Sequence, residues 1–431
     1  MQEFLNFWHQ QGTDGFIRIF WFYFVFELPR YVLLDYFVLA YYLYKRKFGN
    51  EDRREGHKKL LKEMPLVSII VPGKDEGRNY YRLVKSLEEQ TYKNYEIILV
   101  DDGSTDDSEL IGRKLEREGK VEHFLRNEVR GGKASAANMG LRYSDGEFVV
   151  HCDADCSLKP DALENILIPF YQDEKIGAVG GNLEVRNKED SLCTALQTIE
   201  YYLTISVGRL GASTLGILRI ISGAFGAFRK EALERVSGWD VGPGLDGDLT
   251  LKIRKLGYKA HFEYSAVALT SVPTTFAKLA KQRVRWSRSL IRFRFRKHKN
   301  IFFIDKNFDL LNFLSITENI FFNFVLTFLW YFYIFDIVTS FTQTIMYILL
   351  MGIALYTVSK TVEFTIVIAL SDEKWEKLQY YMYMPAMVFY TGNFIRFVRS
   401  WAYLKELVFR SSYKDSWNPA KTSKQARQLD I

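Results

Sequence analysis

The chain is poor in cysteine and proline. Three Cys among 431 residues cannot build a disulfide scaffold, and none lies at metal-site spacing from a His. Cys152 and Cys156 flank an acidic loop and read as reduced thiols. With 9 Pro, 48% hydrophobic and 25% charged residues, the composition excludes a fibrous or disordered chain. There is no P-loop spacing, and no Gly-x-Gly-x-x-Gly follows the first strand-like run, which argues against nucleoside-triphosphate hydrolysis and dinucleotide binding. Neither sign of charge dominates: 58 Lys+Arg against 51 Asp+Glu give +7. No nucleic-acid module or stacking platform accompanies the basic stretches, so nucleic acid is not an expected partner. A chain of this length is expected to hold two structural units.

What is abundant is aromatic side chains, 34 Phe and 26 Tyr, and they mark the apolar parts of the chain. Residues 16–44 are apolar but interrupted by Glu27, Pro29, Arg30 and Asp35. They predict either one Pro-kinked helix or a short segment followed by a spanning one, with no removable signal peptide. Lys45, Arg46, Lys47, Arg53, Arg54, Lys58, Lys59 and Lys62 follow, and basic residues just past a span favour the cytosolic side. Ile320–Phe335, Ile337–Ser359 and Leu378–Ile395 are uncharged and predict two or three spans. The division expected is therefore a transmembrane region 1–47, a cytosolic catalytic-looking domain 66–272, an amphipathic interfacial helix 273–300, transmembrane helices 301–405 and a basic tail 406–431. The setting is a multi-pass protein of the cell membrane, in contact with its lipids.

In the middle, Val67–Val71, Tyr95–Val100, Val121–Leu125 and Phe148–Cys152 read as buried strands. They alternate with helices over Gly77–Gln90, Ala134–Tyr143 and one capped by Ser104 or Thr105. That alternation predicts an α/β fold with a mostly parallel sheet and ligands at the carboxyl ends of its strands. Asp101-Asp102 and Asp153-Ala154-Asp155 fall at such ends. An Asp-x-Asp loop can hold one hard divalent cation and, through it, phosphate oxygens, although acidic turns are also common as capping chemistry. Lys133 follows Gly131-Gly132 in a loop suited to an anion or to a plain turn. Asp246 and Asp248 precede a helix predicted at Leu249–Leu256, as caps or as a general base. From Thr275 to Lys299, at ~100° per residue, Lys281, Arg285, Arg288, Arg292 and Arg296 fall in one stripe. Leu279, Trp286, Leu290 and Phe293 lie opposite, and Arg283 sits on the apolar side. A membrane-surface helix is the default reading.

Taken in order, Asp101–Asp106 (DDGSTD), Asp153–Asp155 (DAD), Gly244-Leu245-Asp246 and Gln282–Trp286 (QRVRW) resemble the membrane-bound, processive family-2 glycosyltransferases. These include cellulose, hyaluronan, chitin and poly-N-acetylglucosamine synthases. The resemblance covers about residues 66–300. It implies a GT-A (Rossmann-like) domain between membrane helices that transfers sugar from a nucleotide-sugar donor, a UDP-sugar in the first instance, to a growing polysaccharide. By that resemblance Glu76, Asp101, Asp102, Lys133 and Asp153 meet the nucleotide. Asp153 and Asp155 hold Mg²⁺ or Mn²⁺, and Asp246 is the catalytic base. Ser222, Gly223 and Trp286 receive the acceptor, while Gln282 and Arg285 stabilise the diphosphate. The acidic residue usual before the base is replaced by Leu245, so either Asp248 compensates or the acceptor requirement differs. Transfer to a membrane lipid, of the ceramide or polyprenyl-phosphate kind, would share these motifs. A non-catalytic binding protein of the same fold is the remaining alternative.

Overall fold

A computed structural model describes the chain apart from residues 49, 241–244, 299–308, 415–418 and 429–431. Gly244 of the third motif therefore lies outside the described residues, as does Lys299. The described residues contain β1 (Val67–Gly73), β2 (Tyr95–Asp101), β3 (His123–Arg126), β4 (Phe148–Cys152), β5 (Ser157–Leu158), β6 (Ile176–Val185), β7 (Phe225–Arg229) and β8 (Lys259–Thr270). They form one sheet in the order β3-β2-β1-β4-β7-β6-β8-β5. The first four positions are parallel, as the alternation of strands and helices requires. β7 runs antiparallel between β4 and β6, and β5 antiparallel to β8, so the sheet is mostly parallel as expected, with these two strands reversed. Hydrophobic alternation does not encode strand direction, which is why this was not legible.

Alternating residues divide the core into two faces. Val67, Ile69, Val71, Ile97 and Leu99 pack with Leu83 and Leu87 of helix Gly77–Glu88 and with Leu163 and Ile166 of helix Ala162–Gln172. On the other face, Ile70, Ile98, Val100 and Val149 meet Ala134 and Ala137 of helix Lys133–Arg142. That second cluster continues without a break through Tyr202 and Leu210 to Phe364, Tyr380, Met384 and Met387. The sheet and the apolar C-terminal helices thus share a core.

Two helical rods, Leu310–Ser340 (31 residues) and Ile345–Leu370 (26 residues), are long and apolar enough to cross a membrane. The chain turns at 341–344, so the apolar run 337–359 is divided between them rather than forming one span. The segment 378–395 is broken into short helical pieces, with Tyr380, Met384 and Met387 packed against the domain. In the N-terminal region the helix runs through Pro29 with widened turns over Tyr23–Leu33. Its interrupting charges are paired: Glu27 accepts from Arg396 at 3.0 Å and Arg30 donates to Glu318 at 2.7 Å.

The basic segment is the helix Phe276–Ser289, capped by Thr275, continued by wider turns over Leu290–Lys297. There His298 N–H reaches back five residues to Phe293 O at 2.9 Å. Wider winding shifts the ~100° phase, and the expected membrane-surface stripe is not what forms. Arg292 and Arg294 are both buried. Arg292 lies 4.8 Å over the Tyr413 ring, and Arg296 donates to Glu406 at 2.6 Å. Leu279, Leu290 and Phe293 are buried as expected, whereas Trp286, assigned to the apolar side, is exposed. Arg283 is on that side because it pairs with Glu200 at 2.8 Å, stacks 4.2 Å over Trp286, and shares Glu200 with the Tyr390 hydroxyl at 2.5 Å.

Gly146, between helix Lys133–Arg142 and β4, has no room for a side chain. A Cβ there would stand 2.6 Å from Ser68 N and 2.7 Å from Leu66 O, both backbone. Gly146→Ala is expected to cost about 1–3 kcal/mol, read as a lowered Tm; an unchanged Tm would contradict this close approach.

Candidate active site

The carboxyl ends of β1, β2 and β4 open on one edge of the sheet. Asp101 is fully buried there, 3.2 Å from Arg126, and accepts from Ser104 N–H at 3.1 Å. Its role in this structure is to fix the turn. Ser104 accepts from Asp75 N–H at 2.7 Å instead of capping the next helix. That helix starts at Ser108, whose N–H donates to Asp106 at 3.0 Å. Asp102 is buried too. One carboxylate oxygen accepts from Asn127 Nδ2 at 3.0 Å and Gly131 N–H at 2.8 Å, the other from Gly132 N–H at 2.7 Å. A buried carboxylate with three donors is a strong anchor, and what it anchors is the Gly131-Gly132 loop that presents Lys133.

Lys133 pairs with Asp153. Burial alone would pull its pKa down, but Asp153, Asp246 and Asp155 outweigh burial and hold it above the ordinary lysine value. Burial pushes Asp155 up, and the charge of Asp153 adds to that; Lys133 opposes both. Glu76 is raised by burial and, after the opposing hydrogen bond from Asn79, by Asp155 and Asp153. Asp246 is raised by burial against the pull of Lys133, the Gly223 amide and Arg209. A Cβ on Gly223 would stand 2.5 Å from Asp246 Oδ1, so only glycine allows this approach. The structure therefore brings Glu76, Lys133, Asp153, Asp155, Gly223 and Asp246 to one place.

Both Asp246 and Asp248 lie in the first turn of the helix Leu245–Lys255, which starts earlier than its apolar pattern suggested. Asp248 is buried and committed to Lys297 at 2.7 Å and His298 at 2.6 Å. Ser222, immediately before Gly223 in the loop before β7, accepts from Ala224 N–H at 3.3 Å. Gln282, Arg285 and Trp286 sit on the helix Phe276–Ser289, and Gln282 Oε1 is buried with no hydrogen-bond partner among the described residues. That orphan acceptor is the feature of this helix that calls for a ligand.

Two residues escaped the sequence reading. His151 at the end of β4 is buried, contacts Gly223 O at 2.5 Å and is pushed down to about 4 by burial and by Lys133, so it is neutral. Arg209 faces Asp246 and Tyr201, and its Nη1 is buried with no hydrogen-bond partner among the described residues. A lone Arg in a helix carries no sequence signal. Among the described residues no group of three or more His, Cys, Asp or Glu is placed to hold a metal. The crowded Asp153–Asp155 pair still fits a hard divalent ion, because a cation would relieve the mutual repulsion that raises Asp155.

Residues 68–237 match the family described as "Glycosyl transferase family 2". Over 223 residues the chain is 33% identical to the poly-beta-1,6-N-acetyl-D-glucosamine synthase of Staphylococcus epidermidis, covering 51% of this chain and 53% of that protein. The synthase of that name from Staphylococcus aureus (strain COL) is 31% identical over 252 residues, 58% of each chain. The chain thus spans little more than half the length of these relatives. A mannosyltransferase of Pyrobaculum calidifontis, solved with GDP-Man and Mn²⁺, superposes with a TM-score of 0.58 at 21% identity. The overlap covers 87% of this chain and 99% of that one, which shows the GT-A-type fold.

Asp102→Ala removes the acceptor of two backbone amides. Hydrogen exchange at Gly131 and Gly132 is expected to quicken roughly tenfold or more; unchanged protection would remove the anchoring role.

Proposed function

We propose that this glycosyltransferase transfers sugar from a nucleotide-sugar, a UDP-sugar in our reading, to a growing polysaccharide. We further propose that it does so on the cytosolic side of the cell membrane and passes the chain through its apolar helices. One observation carries the reading: Asp246 and Asp153 face the same Lys133 ammonium. The residue suited to deprotonating an acceptor thus stands beside the residues suited to a leaving diphosphate. The staphylococcal relatives favour an N-acetylglucosamine polymer over a lipid-linked monosaccharide.

In this reading Asp246 accepts the proton of the acceptor hydroxyl as that oxygen attacks the anomeric carbon, and Gly223 lets the acceptor sugar approach it. Charge that builds on the departing diphosphate is met by Lys133. Asp153 and Asp155 would hold Mg²⁺ or Mn²⁺, which when bound supplies further positive charge to the phosphate oxygens. Attack opposite the leaving group inverts the anomeric centre. Arg209 and Lys133 keep Asp246 ionised against burial. Asp102 acts through the loop it anchors, and Gln282, Arg285 and Trp286 close over the substrates from the interfacial helix.

Full-length protein given UDP-N-acetylglucosamine and a divalent ion should yield nucleoside diphosphate and high-mass polymer. A product limited to a lipid-extractable monosaccharide would reject polymerisation. Asp246→Asn is expected to keep donor binding while transfer falls about 10²–10⁴-fold. Only the ionised Asp246 can accept a proton and its pKa is raised, so activity is lost as pH falls, on a limb above the ordinary carboxylate value of about 3.9. Arg209→Gln should move that limb to still higher pH; a profile that stays put would remove the electrostatic link. Asp155→Asn should abolish metal-dependent donor binding yet raise the Tm of the ligand-free protein at neutral pH. The sign follows from its raised folded-state pKa, which means that ionisation at neutral pH opposes folding.

A further inference from the structure

A second concentration of charge lies away from Asp246, where the domain meets the rod Leu310–Ser340. Arg254 donates to Leu218 O at 2.6 Å and Gly216 O at 3.2 Å, beneath the loop that carries Arg219. Arg219 donates to Ser315 O at 3.3 Å and pairs with Glu318, and the same Glu318 already accepts from Arg30. Arg294 faces Arg219, Arg254 and the Tyr403 ring. Its neighbour Phe295 packs 5.6 Å from Phe324 of the rod, close to two turns beyond Glu318.

Among the described residues the charges do not balance. Four guanidinium groups share Glu318, Asp35 (3.5 Å from Arg30) and Asp309. Asp309 is exposed and spends its carboxylate capping the rod through Asn312 N–H at 3.0 Å. Arg294 is left with 7% of its surface exposed and a buried Nε that has no hydrogen-bond partner among the described residues. The pKa of Arg294 is pushed down to about 10 by burial and then by Arg219, and that of Arg254 to about 10 by burial. A buried, unpaired cation among like charges is costly unless an anion completes it. Guanidinium groups converging from several elements match the oxygens of a phosphate.

We propose that Arg219, Arg254 and Arg294, braced by Arg30 and Glu318, form a binding site for a phosphate group at the boundary between the domain and the apolar rods. The site is separate from the diphosphate-handling cluster around Lys133 and does not depend on the reaction proposed above. Two sources offer this chemistry, the headgroup of an anionic lipid and free phosphate.

The test uses full-length protein in neutral detergent with EDTA. Unfolding is followed by a thiol-reactive dye, since all three cysteines are free and buried. One arm titrates inorganic phosphate at constant ionic strength. The other compares micelles containing phosphatidylglycerol with micelles containing diacylglycerol of the same chains. Both arms are repeated on Lys133→Gln, to keep the catalytic cluster out of the reading. A saturable Tm rise on the order of 3–5 °C is expected in at least one arm. It should persist in Lys133→Gln and vanish in Arg294→Gln, and the responding arm identifies the source. No rise in either arm, or the same rise in Arg294→Gln, overturns the proposal. Should Arg294→Gln fail to fold, Arg294→Lys takes its place. It keeps the charge but loses the fork, so the midpoint should move at least fivefold, and an unmoved midpoint overturns the site.

Discussion

The candidate site depends on one ammonium group. Asp153 and Asp155 come from the loop after β4 and Asp246 from the first turn of the helix Leu245–Lys255, and without a cation between them their charges would drive these segments apart. Lys133 supplies that cation, and its position is set in turn by Asp102, which holds the backbone amides of Gly131 and Gly132. The dependence therefore runs from a buried aspartate to a glycine loop, to a lysine, and only then to the carboxylates that face substrate. Asp102 in this arrangement organises the pocket before any donor enters it.

Much of this was legible in the sequence, for identifiable reasons. β4 matches its predicted bounds because Phe148–Cys152 is a short, mainly apolar run closed by acidic residues. The DAD loop and Lys133 fall where expected, because strand ends in an α/β sheet are where loops can present polar groups. The antiparallel β7 was not legible, since direction is fixed by the connection through residues 186–224 and not by local pattern. The early start of the helix Leu245–Lys255 was hidden by Gly247, which weakens a helix without preventing it. Arg209 and His151 gave no signal, as each gains its meaning from a neighbour distant in sequence.

The basic helix shows where a periodic argument fails. It assumes 3.6 residues per turn, and over Leu290–Lys297 the winding is wider. Arg292 and Arg294, two positions apart, are both inside the protein, so the helix here is enclosed on several sides rather than lying at a surface. Arginine tolerates this because its flat, weakly hydrated head can rest on aromatic rings, as Arg292 does on Tyr413. The charges that interrupt the N-terminal apolar run follow the same logic: Glu27 and Arg30 are placed where partners from the C-terminal helices answer them.

The apolar cluster that passes from Ile70 and Val149 through Tyr202 to Phe364 and Met384 has a consequence for the molecule as a machine. Glu200, Arg283 and Tyr390 are joined across the same seam, so tilting the pocket away from the helices beneath it would break these contacts and expose that shared core. Severing pocket from helices near residue 272 would yield a fragment with a raw, greasy underside instead of a free-standing soluble domain, and on the function proposed above a product chain leaving the pocket would start its path against these helices.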